Sequence, residues 1–71
     1  MSKADEMFKA LGYAKKETYW DEDKRLHYIV YNTSETLIEF SLDTRSIEIT
    51  NIINIKELQA INQKVKEMRL E

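Results

Sequence analysis

A single histidine, an acidic run, a basic stretch and a set of tyrosines and a tryptophan are the side chains in this 71-residue chain whose types could do chemistry. His27 is the one group suited to general-base work near neutral pH. Nothing stands with it: no G-x-S-x-G elbow, no glycine-rich phosphate loop and no metal-ligand cluster. A chain with one glycine and no cysteine cannot build a glycine-rich cradle or a thiolate zinc site. A partly buried histidine with one hydrogen-bond partner is the better reading. The expectation is a protein that is not an enzyme, with no catalytic residue, cofactor, metal or evident small-molecule substrate.

Asp21, Glu22 and Asp23 fall at a loop tip. Their oxygens suit a hard cation, but a dedicated loop needs more ligands and a turn glycine. Lys24 and Arg25 offset their charge, so a solvated turn is expected. Lys56, Lys64, Lys66 and Arg69 make the last stretch mildly basic, which phosphate would favour. Glu57, Glu67 and Glu71 are interleaved with them, and pairs such as Lys64 with Glu67 account for the pattern as a solvated helix face.

These groups need elements to hold them. The stretch 53–70, INIKELQAINQKVKEMRL, is the clearest. Asn54 is placed to cap a helix, with Glu57 completing a capping box and Ile53 and Leu58 spaced as a hydrophobic staple. Leu58, Ile61, Val65 and Met68 then form one apolar stripe. At the other end Ser2 caps a helix over about 3–11, with Asp5 and Glu6 in its first turn and Ala4, Met7, Phe8 and Leu11 on its buried face. Gly12 closes it in the left-handed conformation, and Tyr13 supplies the accompanying apolar contact.

Between the helices the pattern turns to β-branched and aromatic residues broken at 21–24, 32–35 and 43–46, which gives four short strands. With Thr44 and Arg45 as a two-residue tip, Leu42 faces Ile47 and Phe40 faces Ile49. With Thr33 and Ser34 as the previous tip, Tyr31 faces Thr36, Ile29 faces Ile38, and His27 faces Phe40. Strands at 26–31, 36–42 and 46–50 follow, after one near 15–20 whose register is open. Ile29, Tyr31, Ile38, Phe40, Leu42, Ile47 and Ile49 share one face, and both helices should cover it. The expected fold is a small two-layer α+β domain spanning 1–71, in α-β-β-β-β-α order, with an antiparallel meander sheet.

The other face is the oddity. Leu26, Tyr28 and Val30 point there, Leu37 should sit opposite Val30, and Tyr19 or Trp20 should lie near Leu26. An uncovered antiparallel face is normally polar. Glu39, Ser41 and Glu48 make it so on one side only. The first strand or a loop folding over the patch would explain it, as would a protein-binding or self-association surface. A platform for stacked nucleobases is the third explanation. Glu17, Asp21, Glu22 and Glu39 around the patch disfavour nucleic acid. The candidate partner-binding residues are therefore Tyr19, Trp20, Leu26, Tyr28, Val30 and Leu37.

ADEMFKALGY at 4–13, IVY at 29–31 and ELQAINQKV at 57–65 resemble short uncharacterised phage and prophage proteins of low-GC Gram-positive bacteria. The resemblance implies a phage accessory protein, a class rich in small proteins that bind host or phage factors. It brings no functional residue with it.

Balance of charge agrees with a protein partner or a homodimer: 11 Lys and Arg against 13 Asp and Glu leave a net charge of −2, with no pull toward nucleic acid or anionic lipid. No apolar run approaches the ~20 residues of a membrane span. The N-terminus lacks the apolar stretch of a signal peptide. A cytoplasmic protein starting at Met1 is expected, in the bacterial host if the resemblance holds. Self-association or a host protein would suit so small a core.

Overall fold

Both capping patterns form as the sequence requires. The computed structural model describes residues 2–20, 22 and 25–69. Ser2 Oγ accepts from the Asp5 N–H at 2.9 Å and opens α1, Lys3–Ala10. Leu11 caps its end, and Gly12 turns the chain at φ +88°, where a Cβ would be strained. Asn54 and Glu57 form the reciprocal capping box that opens α2, Ile55–Met68, with Asn54 Oδ1 and Glu57 Oε1 accepting at 2.9 and 2.8 Å.

Between the helices lie β1 (Ala14–Tyr19), β2 (Leu26–Asn32), β3 (Leu37–Ser41) and β4 (Ser46–Ile49), in the sheet order β1-β2-β3-β4. The chain is an α+β domain of helix, four-stranded antiparallel meander and helix. The helices form one layer on one sheet face. Between the layers sit Phe8, Tyr13, Ile29, Tyr31, Ile38, Phe40, Ala60 and Ile61, joined by partly buried Met7, Leu11, Leu26, Ile53, Val65 and Met68. Phe8 stacks on Tyr31 with ring centroids 3.9 Å apart and meets Tyr13 and Phe40 edge-on.

Register differs from expectation by two residues in both later hairpins. Phe40 faces Ile47, Ile38 faces Ile49, and Glu39 faces Glu48. Leu42 sits in the turn rather than opposite Ile47. One hairpin earlier Tyr31 faces Ile38, Ile29 faces Phe40, Val30 faces Glu39, and Leu37 faces Asn32 rather than Val30. In each case the turn takes four residues where two were expected. Thr33 Oγ1 accepts from the N–H groups of Glu35 and Thr36 at 3.2 and 3.0 Å and widens the first turn. Thr44 Oγ1 shares hydrogen bonds with Ser41 and Ser46, while Arg45 takes φ +55°, and these close the second. A slip of two keeps every side chain on its predicted face.

The first hairpin breaks that parity. Thr18 pairs with Tyr28 but Tyr19 pairs with Leu26, so β2 carries one extra residue at His27. Beyond this bulge Leu26 packs against the core, not on the helix-free face where the alternation put it. His27 does not face Phe40: its ring lies 3.8 Å from that of Tyr28, whose strand neighbour Ile29 is buried in the core.

Helix α2 is rotated from its predicted stripe. Ala60, Ile61 and Lys64 are buried, whereas Leu58 is 43% exposed. Ile47 and Ile49, expected beneath the helices, are 38% and 39% exposed, because the helix layer stops short of the β4 edge. Asp21, Asp23 and Lys24 of the charged turn, Met1, and Leu70 and Glu71 at the end of the basic stretch lie outside the described residues.

Candidate functional site

The two flanks of the helix layer differ in chemistry. On the α1 side, Asp5 gathers three donors. Its Oδ2 accepts from Lys15 Nζ at 2.8 Å, and its Oδ1 accepts from the Tyr31 hydroxyl at 2.5 Å and from Lys64 Nζ at 3.3 Å. Lys64, expected on a solvated face, is thus a buried cation, paired with Asp5 and 5.8 Å from the centre of the Tyr31 ring. Burial pushes the Asp5 carboxyl up, but the hydrogen bonds from Lys15 and Tyr31 and the charges of Lys64 and Lys15 outweigh it and hold it well below the ordinary carboxylate range. Burial, with the bond to Asp5 and its charge, pushes the Tyr31 hydroxyl far up. Carboxylate, amine and phenol can do acid–base chemistry in an open site. Here each is committed to another, so the group works as a clamp between α1, α2 and the sheet.

A second clamp closes the other end of the layer. The Tyr13 hydroxyl donates to Glu57 Oε2, the carboxylate that also completes the α2 cap. Burial and that carboxylate push the Tyr13 hydroxyl up to about 12. Glu67 Oε2 accepts from the Ala4 N–H at 2.9 Å and ties the start of α1 to the end of α2.

The opposite flank is apolar and open. Among the described residues the large exposed apolar side chains are Tyr19, Trp20, Ile47, Ile49, Ile52, Ile55 and Leu58, and the last five fall within a single stretch of chain, 47–58. Ile52 is 91% exposed and Ile55 69%. Their positions are fixed by local bonds. Thr50 brackets Leu37 through its N–H and Oγ1, the Asn51 amide reaches the Glu35 carbonyl at 3.5 Å, and Asn51 Oδ1 accepts from the Ile52 N–H at 2.8 Å. The capping box then sets Ile55 and Leu58 on the first turns of α2. Lys56 and Gln59 line a groove with Met7 and Ala10 of α1 and with its cap Leu11. A helix turns about 100° per residue, so Leu58 lies on the flank turned away from α1, with Ile55 on the crest between. At its other end α2 reaches the β3–β4 turn, where the Arg45 guanidinium donates to the Arg69 carbonyl at 3.3 Å. Ile47 and Ile49 stand on the helix face of β4, opposite the buried Phe40 and Ile38.

The sequence-predicted site residues are only partly brought together. The Trp20 ring lies against His27 at 3.9 Å, tilted by 31°, and His27 against Tyr28 at 3.8 Å, tilted by 47°, so three rings adjoin at the bulged end of β2. The His27 Nδ1 atom is buried with no hydrogen-bond partner among the described residues. Tyr19 is 49% exposed and donates to Glu17 Oε1 at 3.1 Å. Val30 is half-buried but sits between Lys16 and Glu39, Leu37 is flanked by Asn32, and Leu26 lies on the core side. Neither helix covers the helix-free face, yet polar neighbours divide its apolar members.

Sequence reasoning missed Lys64, Asp5 and the 47–58 stretch. The signal for Lys64 was its place three residues after Ile61 and four before Met68, inside the buried stripe. The signal for Ile52 and Ile55 was that no periodic set claimed them. Among the described residues no group of three His, Cys, Asp or Glu could hold a metal ion, and no helix is long and apolar enough to cross a membrane. No family model, curated protein or solved structure matches this chain.

Proposed function

We propose that this protein is a non-enzymatic protein-binding module and that the flank formed by Ile47, Ile49, Ile52, Ile55 and Leu58 is its contact surface. The supporting observation is the concentration of exposed isoleucine and leucine on one stretch of a domain with little core to spare. Together they expose on the order of a few hundred Å2, the scale at which an apolar patch marks an interaction site. Local hydrogen bonds hold Ile52 and Ile55 outward, so binding them requires little ordering of the loop. Action in the cytoplasm of a bacterial host, among phage or prophage accessory proteins, belongs to the same proposal and is supported by the resemblance alone.

Cross-linking and affinity capture from a low-GC Gram-positive host test it with three proteins: the wild type, an Ile52→Asp/Leu58→Asp variant, and Val30→Lys on the helix-free face. The wild type and Val30→Lys should retain one partner that the double variant loses while its circular dichroism stays unchanged. Loss in Val30→Lys but not in the double variant would move the site to the helix-free face and overturn the assignment.

A further inference from the structure

The free edge of β4 carries the reading of this flank further, to the chemistry of what it binds. β4 pairs with β3 alone, and all four of its residues are exposed. An edge strand presents a row of unpaired N–H and C=O groups, and proteins usually blunt such edges with lysine, proline or a bulge. β1, the opposite edge, carries Lys15 and Lys16 and a register break against β2. β4 has no lysine, proline or bulge: it is a short strand, Ser-Ile-Glu-Ile, whose one charge is Glu48, and its register with β3 is unbroken.

Its two faces differ. On the helix side stand Ile47 and Ile49, followed along the chain by the exposed Ile52, Ile55 and Leu58. On the helix-free side Glu48 lies directly opposite Glu39. Like charges in that position repel, and neither carboxylate has an ion pair among the described residues. Glu39 has Val30 as its neighbour on β2, whereas the place beyond Glu48 is open.

Resting on the reading of the flank above, we infer that β4 takes up an extended segment of the partner as a fifth strand, alternating apolar with basic side chains. Apolar residues of the segment meet Ile47 and Ile49, and a lysine or arginine fills the place beside Glu48 and within diagonal reach of Glu39. A second copy of this chain fits less well. The antiparallel register that sets Ile47 against Ile49 of the copy places Glu48 against its own counterpart and lines up four carboxylates. Pairing with β1 of a copy brings Lys16 to the acidic side, but sets Lys15 and Glu17 on the isoleucines.

The test uses short synthetic peptides of alternating valine and lysine, read by fluorescence anisotropy against the full chain. The lysine peptide should bind, and replacing its lysines by glutamate should weaken binding at least tenfold. N-methylation of the backbone on its edge-facing positions should do the same. Glu48→Lys should reverse the preference, taking the glutamate peptide over the lysine peptide. Equal binding of methylated and unmethylated peptides, or a Glu48→Lys protein with unchanged preference, overturns strand addition. A dimer by sedimentation that Glu48→Lys strengthens overturns it in favour of a second copy. If Ile52→Asp/Leu58→Asp abolishes capture of the host partner while Glu48→Lys leaves it intact, the flank stands and strand addition falls. If neither affects capture, the flank itself falls.

Discussion

The sheet ends in two edges that the chain treats in opposite ways. Along β1, Lys15 pairs with Asp5 at 2.8 Å and with Glu17 at 3.6 Å, and the charge is drawn into the clamp that joins both helices to β2. Along β4 the corresponding positions are Ile47 and Ile49, and among the described residues no ion pair joins the strand to α2, where Arg45 of the preceding turn reaches only the Arg69 carbonyl. One edge is closed by ions that the fold itself consumes. The other keeps its apolar surface in reserve. A domain of this size has a total stability of about 4–10 kcal/mol, so what is left uncovered is a large share of what was available.

Substitutions should separate the two sides, and the largest effect should come from the core they share. Ile61→Ala removes a buried side chain under α2 and should lower stability by about 2–4 kcal/mol in urea unfolding. Leu58→Ala, one turn earlier and half in water, should lower it by about 1 kcal/mol or less. Equal losses at the two positions would erase the distinction between buried and open flanks of α2.

On the closed side, Asp5→Ala leaves Lys64 buried without its carboxylate. A buried pair broken in this way loses about 3–5 kcal/mol, and since Asp5 is about one-fifth exposed the expected loss is about 2–3 kcal/mol. Lys64→Met should be milder, because Asp5 keeps Lys15 and Tyr31 and methionine fills the same space. A Lys64→Met protein less stable than Asp5→Ala would show that the amine, not the carboxylate, organises the clamp.

The same clamp should give the stability a pH profile. Asp5 and Glu67 bind their protons less tightly in the folded chain than in the unfolded one. Their contribution is therefore full above their ordinary values of 3.8 and 4.5 and is lost as the pH falls below them. Tyr13 and Tyr31 bind theirs more tightly, so their contribution is full below 10.0 and fades as the pH rises above it, through about 12 for Tyr13 and higher still for Tyr31. Urea midpoints measured across the acid range should fall, and Asp5→Asn should flatten that fall. An unchanged acid slope in Asp5→Asn would remove Asp5 from the clamp. The smallest effect belongs to the open side: Ile52→Ser should leave stability within about 0.5 kcal/mol of the parent.

The backbone plan was legible because it is written in local patterns. As helix caps Ser2, Gly12, Asn54 and Glu57 act within four residues of themselves, and alternation along β2 and β3 assigns faces without reference to anything distant. The rotation of α2 was not legible in the same way. Lys64 is buried because Asp5, far away in sequence, waits for it, and a stripe search discounts a lysine. Tyr28, Val30 and Leu37 do lie away from the helices as alternation requires, but the registers that decide their neighbours depend on how Thr33 and Thr44 bond. The exposed run from Ile47 to Leu58 escaped because apolar residues were assigned to the core by type, while two short helices cannot roof four strands.

The two four-residue turns have a consequence for how this chain tolerates changes in length. Sliding β3 or β4 by two positions returns each side chain to the face it left, so gain or loss of a residue pair in either turn exchanges neighbours without turning the core inside out. A slide by a single position would send Ile38 and Phe40 into water, so one inserted residue has to be taken up by a longer turn or by a bulge like that at His27. Homologous chains should accordingly keep the residues at 38 and 40 on the helix side whatever the length of the turns at 33–36 and 42–45, with an odd step seen as a longer turn or a bulge.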